Sequence, residues 1–361
     1  MTFESPEAAA GESAKVDITE LARLLGLSIG TVSRSLNNRP GVSLKTRKRV
    51  LAAAKEHRYS PSSAARQLKD RPSLLVGLFF APYYSADREI NPSALGLIER
   101  LRLALKTQGV DLKVLYFKDN QDLKEQALEV NVGLFYGHFD ESSFAVVHDL
   151  GIPAILYDKQ SGFADQISVV ADTRQSCNVA VQYLAALGHE RIGMVTGPAS
   201  EFYYLAYKEA FIASMHEFSL PLRPDWVFEQ SAERCNQEGA CETLLPLLQK
   251  TDRPTALIFA SDWLALGGRK AALAAGLSIP EDISLVGHDN LPITAELDPP
   301  LTTFDIHLGR VVQTLAQIAI QLGSHRLPPG NSLENRTVLL LPDFVKRGSC
   351  RSLRPAVPAA V

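Results

Sequence analysis

Cysteine is scarce in this 361-residue chain: Cys177, Cys235, Cys241 and Cys350 are its four. With no Cys-x-x-Cys pair and no histidine at ligand spacing, they exclude a disulfide scaffold, argue against a zinc site and read as buried thiols. Three methionines are too few for an adaptable groove. The longest apolar stretches are strand-length, so no membrane span is expected. Residues 1–14 are acidic and rich in small residues, without a positive n-region or apolar h-region, so secretion is not expected either and the reading is cytoplasmic. Gly-x-x-x-x-Gly-Lys-Ser/Thr, Gly-x-Gly-x-x-Gly and His-Glu-x-x-His are all missing, which removes phosphate-transfer, dinucleotide and zinc-hydrolase chemistry at the motif level. The eight histidines are scattered, and His138, His148 and His189 read as surface or loop residues. No catalytic residue, metal or cofactor is predicted, and the chain is not read as an enzyme.

What is present begins near the N-terminus. Ile18, Leu21, Ala22 and Leu25 recur at three- and four-residue spacing, the apolar stripe of one helix, with Asp17 or Thr19 available to cap its start. Gly26 sits where that helix must stop, because a residue without Cβ takes positive φ cheaply, and Ser28 is placed to cap a second helix. On that helix Val32 and Leu36 are predicted to face inward, leaving Ile29, Gly30, Ser33, Arg34 and Asn37 free to meet a DNA groove. Ser43 opens a third helix whose stripe is read as Val50, Leu51 and Ala54 beside a basic face. Pro61 to Lys69 then carries Leu68 flanked by cations, a residue suited to wedging a minor groove. Charge agrees with this division: residues 15–71 hold thirteen Lys or Arg against four Asp or Glu, a net +9 inside a chain of net −3. Such clustering fits a phosphate backbone, whose condensed counterions are released on contact.

From Leu74 onward, short apolar runs alternate with helix-length segments. Residues 74–80, 112–117, 132–136, 154–157, 192–196, 256–259 and 283–286 read as buried parallel strands. Residues 95–107, 177–187, 204–218, 238–249 and 263–275 read as helices. Strand alternating with helix means a doubly wound α/β architecture, and the number of units predicts two sub-domains of about five strands each, facing one another across a hinged cleft.

Leu21-Ala22, Gly26-Leu27-Ser28, Thr31-Val32-Ser33-Arg34 and Leu36-Asn37, followed by Val42-Ser43, Thr46-Arg47, Val50-Leu51, Tyr59-x-Pro61 and Ala64-x-x-x-Leu68, resemble the headpiece and hinge of the lactose repressor family of bacterial transcriptional regulators. Further segments resemble the effector-binding core of the same regulators: Leu187-Gly188-His189, Ala260-Ser261-Asp262, Gly276 to Asp289, Pro300 to Thr303, and Leu341 to Cys350. The likeness runs from residue 16 to 351. It implies an all-α helix-turn-helix headpiece, a periplasmic-binding-protein-like α/β core of two sub-domains crossed more than once by the chain, and a homodimer. The organisation expected is a disordered extension 1–14, a DNA-binding domain 15–60, a hinge 61–73, a core 74–350 and a flexible tail 351–361.

The function that follows is a sequence-specific regulator, a repressor, whose operator affinity is controlled by a small sugar-like metabolite. Arg34 offers a fork of donors to guanine O6 and N7, Ile29 an apolar contact to a thymine methyl, and Gly30 close backbone approach. Thr31, Ser33, Asn37, Ser43 and Thr46 suit phosphates, with helix capping as the alternative use, and Arg66 and Leu68 are assigned to the minor groove. For the effector, polar groups just after strands are chosen: Tyr83, Tyr84, Asp158, Ser261, Asp262 and above all Asp289, since one carboxylate accepts two sugar hydroxyls. Leu205 and Arg234 stand near the positions where sugar-responsive relatives carry an arginine and a stacking aromatic. Two alternatives stay open: a regulator of the same fold controlled by a partner protein, and a solute receptor that does not bind DNA.

Overall fold

The computed structural model describes residues 18–36, 43–56, 74–80, 91–137, 139–163, 166–324 and 337–354. The chain divides into two compact units, Met1–Pro72 and Ser73–Val361.

In the first unit, α1 (Ile18–Leu25), α2 (Ile29–Leu36) and α3 (Leu44–Glu56) close on a core of Leu21, Ala22, Leu25, Val32 and Val50. Gly26, at φ +63°, ends α1, and the amide of Leu27 folds back to donate to Ala22 O at 3.0 Å. The oxygens of Ser28 and Ser43 accept the amides of Thr31 and Thr46, each at 3.2 Å, so both serines cap as expected. Arg49 Nη2 donates to Leu25 O at 2.6 Å, so α3 satisfies the last turn of α1. One expectation fails: Leu51 is 48% exposed, because the inward stripe of α3 runs from Val50 through Ala53 and Ala54. Asp17 lies outside the described residues.

In the second unit, the described strands form a parallel sheet of order β11-β5-β4-β3-β1-β2, a parallel sheet of order β7-β6-β8-β9, and an antiparallel pair β10-β12. The first lobe contains β1 (Leu75–Phe80), β2 (Asp111–Tyr116), β3 (Val132–Tyr136), β4 (Ala154–Tyr157), β5 (Ile167–Ala171) and β11 (Thr337–Leu340). Its helices are α4 (Pro92–Lys106), α5 (Asn120–Ala127), α6 (Glu141–Asp149) and α12 (Leu308–Gly323). Val76, Leu78 and Phe80 of β1 pack towards α4 and α12, whereas Phe79 packs towards α5 and α6. Both faces are covered, which is why these strands read as continuous apolar runs.

The second lobe contains β6 (Ile192–Thr196), β7 (Val227–Glu229), β8 (Ala256–Phe259) and β9 (Ser284–Val286), with β10 (Thr303–Asp305) and β12 (Asp343–Val345) beside them. Helices α7 (Thr173–Ala186) and α8 (Phe202–Glu217) cover one face, and α9 (Gln237–Leu248) and α10 (Asp262–Ala274) the other. A short α11 (Pro292–Ala295) follows β9.

The chain crosses between lobes three times: after β5, after β10 and after β11. These crossings are tied together, since the Asp172 amide donates to Leu340 O at 2.8 Å and His307 Nε2 lies 2.7 Å from Asp343 Oδ2. His307 itself takes φ +51°, its amide donating to Asp305 Oδ1 at 2.7 Å. The expected strands and helices sit within a few residues of their predicted places. Not anticipated were β5, β7, β10, β11, β12, α5, α6, α11 and α12, so the described residues of the lobes form six and four strands plus a two-stranded ribbon.

Candidate DNA-binding and effector sites

On the headpiece, Ile29 opens α2 and is 49% exposed, although it is a large apolar side chain. Gly30 follows it, exposed; a Cβ there would meet nothing nearer than Ser28 Oγ at 3.9 Å, so neither packing nor backbone conformation requires glycine. Ser33 and Arg34 lie on α2. Thr31 and Thr46 place their hydroxyls 2.9 Å from the hydroxyls of Ser28 and Ser43, the residues that cap α2 and α3. Lys45, Lys48 and Arg49 of α3 are exposed. Asn37, Arg66 and Leu68 lie outside the described residues, as do Tyr83 and Tyr84.

In the core, a cavity of about 70 Å³ lies where the carboxyl ends of both sheets converge. The first lobe contributes Asn91 and Ser93 at the start of α4, Tyr136 and Gly137 at the end of β3, Tyr157, Asp158 and Lys159 at the end of β4, and Ala171 ending β5. Asn91 caps α4, its side chain accepting the Ser93 amide at 2.9 Å, and Pro92 occupies the first helical position. The second lobe contributes Glu201, Tyr203 and Tyr204 at the start of α8, Ser261 capping α10, and Asp289 after β9. Ile306 and Leu308, on the second crossing, complete the wall.

Two aspartates face this space from unusual backbone. Asp158 has φ +54° and accepts the Ala171 amide at 3.0 Å, while Asp289 has φ +119° and its amide donates to Phe304 O at 2.9 Å. Such conformations are strained for a non-glycine residue and gather at functional sites. Burial raises the Asp158 carboxyl to about 7, with the nearby Asp289 adding to the rise. Burial likewise raises the Glu201 carboxyl and lowers the Lys159 ammonium. Behind the cavity, the Tyr203 hydroxyl donates to Ala260 O at 2.7 Å and lies 3.1 Å from Nδ1 of the buried His288. Gly197 allows the Tyr204 ring to lie against the Gly197-Pro198 loop, since a Cβ there would come within 2.4 Å of the ring.

Of the effector residues predicted, Asp158, Ser261 and Asp289 line the cavity. Asp262 does not: it is buried beneath, accepting the Thr303 hydroxyl at 2.6 Å and the Leu291 amide at 2.8 Å. Leu205 is 40% exposed on the outer side of α8 and Arg234 pairs with Glu242 at 2.8 Å; neither lines the cavity. Sequence reasoning passed over Asn91, Ser93, Tyr136, Tyr157, Lys159, Glu201, Tyr203 and Tyr204.

A helix-turn-helix bundle joined to a two-lobed core with a cleft at its strand ends defines a DNA-binding regulator with a ligand-binding core. Residues 17–62 match the lacI family of bacterial regulatory proteins, and residues 181–350 match the periplasmic binding protein-like domain. The HTH-type transcriptional regulator MalR of Streptomyces coelicolor is 30% identical over 352 residues, covering 93% of this chain and 96% of MalR. The HTH-type transcriptional repressor PurR of Actinobacillus pleuropneumoniae serotype 3 is 28% identical over 349 residues, covering 93% and 98%. Among solved structures, the Lac repressor dimer bound to operator and the anti-inducer ONPF aligns with a TM-score of 0.68 at 23% identity, covering 93% of this chain and 99% of that one. The complex of the transcriptional regulator CelR with cellobiose aligns with a TM-score of 0.66 at 19% identity, covering 92% and 99%. The chain belongs to the lacI family of bacterial regulatory proteins, and it is a DNA-binding transcriptional regulator.

Proposed function

We propose that this protein is a cytoplasmic repressor without catalytic activity, acting as a homodimer on a two-fold operator and controlled by a hydroxyl-rich metabolite held in the cavity between its lobes. The observation that carries the reading is the convergence of Asp158 and Asp289, from opposite lobes, on one cavity. Each carboxylate accepts up to two hydroxyl hydrogen bonds, so a ligand bridging them favours the closed arrangement of the lobes. A space of about 70 Å³ is well below the roughly 300–1,000 Å³ usual for small-molecule sites, so the lobes part to admit a ligand. MalR and PurR, by their names a transcriptional regulator and a repressor, support the repressor reading; CelR, solved with cellobiose, supports a sugar-like effector.

On the DNA side, Ile29, Gly30 and Arg34 are assigned to bases, with Thr31, Ser33, Asn37, Ser43 and Thr46 at the backbone and Arg66 and Leu68 at the minor groove. Thr31, Ser43 and Thr46 shape the helix starts that present them. The domain reading keeps 15–60 for DNA, 61–73 as hinge and 74–350 for effector and dimer contacts. Selection of bound fragments from random duplexes by the full chain tests this: one enriched two-fold motif is expected, with Arg34→Ala relaxing preference at one position by about 1–3 kcal/mol. Absence of any enriched motif, with or without metabolites, overturns it. A metabolite thermal-shift screen of the same chain addresses the effector, and a uniformly flat result removes the metabolite.

A further inference from the structure

The charges around the cavity do not balance. Asp158, Glu201 and Asp289 arrive from three elements, and Lys159 is the one lysine or arginine among the described lining residues. Lys159 and Glu201 come from opposite lobes, are 5% and 8% exposed, and their side chains make no hydrogen bond to a described residue. Lys159 is attracted to Glu201 first and to Asp158 second, so one ammonium is shared between those two carboxylates. Asp289 Oδ1 lies 3.5 Å from Nδ1 of the buried His288 and, among the described residues, Asp289 forms no ion pair with a lysine or arginine.

We propose that the effector is a hydroxylated amine, an amino sugar or close analogue, whose ammonium sits between Asp158 and Asp289. The proposal rests on the reading of this cavity as the effector site. When the lobes close over a neutral sugar, water leaves and two like charges stay in excess; an ammonium between them offsets one and donates charge-assisted hydrogen bonds to both, whereas a phosphate adds negative charge where it is least tolerated. The elevated Asp158 carboxyl, raised by burial first and by the nearby Asp289 second, is consistent with this, since a cation placed between the two carboxylates displaces the proton that carboxyl holds. Tyr136, Tyr157, Lys159, Tyr203 and Asp289 are the titratable groups facing it. Arrival of the ammonium therefore releases that proton.

The test is isothermal titration of the full chain at pH 7 with glucosamine, galactosamine and mannosamine, each beside its neutral sugar and that sugar's 6-phosphate, in two buffers of different ionisation enthalpy. One amine is expected to bind about tenfold or more tighter than its neutral counterpart, the phosphate weakest of the three, with a net release of protons. Asp158→Asn and Asp289→Asn bring that amine down to the level of the neutral sugar, and Lys159→Gln widens the preference. A neutral or phosphorylated sugar binding as tightly as the amine, or no binding by any of the three amines, overturns the inference. Operator selection separates the failures: an operator complex without amine binding defeats this inference alone, and loss of any operator complex defeats the regulator reading.

Discussion

Two aspartates that look alike in sequence do opposite work. Asp262 is buried and accepts bonds from Thr303 and Leu291, so Asp262→Ala strands two buried donors; a loss of roughly 1–3 kcal/mol in urea unfolding is expected. Asp158 instead carries a carboxyl raised from the ordinary 3.8 to about 7 by burial. The folded state therefore holds a proton that the unfolded state has lost, and this residue's contribution to stability falls as pH rises from about 4 to about 7. Asp158→Asn removes that dependence, so its stability relative to the parent protein is expected to be higher at pH 8 than at pH 5 when both are unfolded in urea. Equal differences at the two pH values refute the assignment. Lys159, one residue on, shows why single positions are hard to read: nothing in its sequence neighbourhood distinguishes a cation at the cavity from one in solvent.

At the scale of elements, α2 carries a local contradiction. Gly30 lies inside a helix, exposed, with no packing reason to be glycine, where it costs about 0.5–1 kcal/mol relative to alanine. Gly30→Ala is expected to raise headpiece stability by that amount while weakening operator binding, both measurable on the full chain by thermal unfolding and gel shift. Where local and global signals agreed, the fold was legible: the Gly26 stop, the Ser28 and Ser43 caps and the two-sided burial of β1, β3, β4, β6 and β8 are all visible in residue pattern. Other elements were obscured for identifiable reasons. In β5 the buried Ser168 interrupts the apolar run, and β7, β10 and β12 have only three residues each. Helix α12, by contrast, showed its period openly in Val311, Val312, Leu315, Ala316, Ala319 and Leu322. The cavity was half legible because the rule of polar residues after strands finds Asp158 and Asp289 but not residues at helix starts. Asn91-Pro92-Ser93 had a cap signature of its own, whereas Glu201 caps nothing and gave no signal. Of the crossings, the His307–Asp343 contact joins the second to the third. His307→Ala is expected to speed amide hydrogen exchange at the start of α12 and around β12, leaving the centres of both sheets protected.

For the whole molecule, the net +9 of residues 15–71 sets a salt signature. Log affinity for operator is expected to fall linearly with log salt, with a loss of about a thousandfold or more between 50 and 200 mM for six or more phosphate contacts. A slope near zero in filter binding refutes an electrostatic footprint. The core answers to different physics, since its two lobes share three connecting segments. That threading also constrains how the protein diversifies. Exchanging one lobe for a relative's requires three simultaneous junctions in register, so new ligand preferences arise far more readily by point substitution at strand tips and helix starts than by recombining whole lobes. It equally means that a protease nick in any one connection leaves two others intact, and the cut protein stays a single particle.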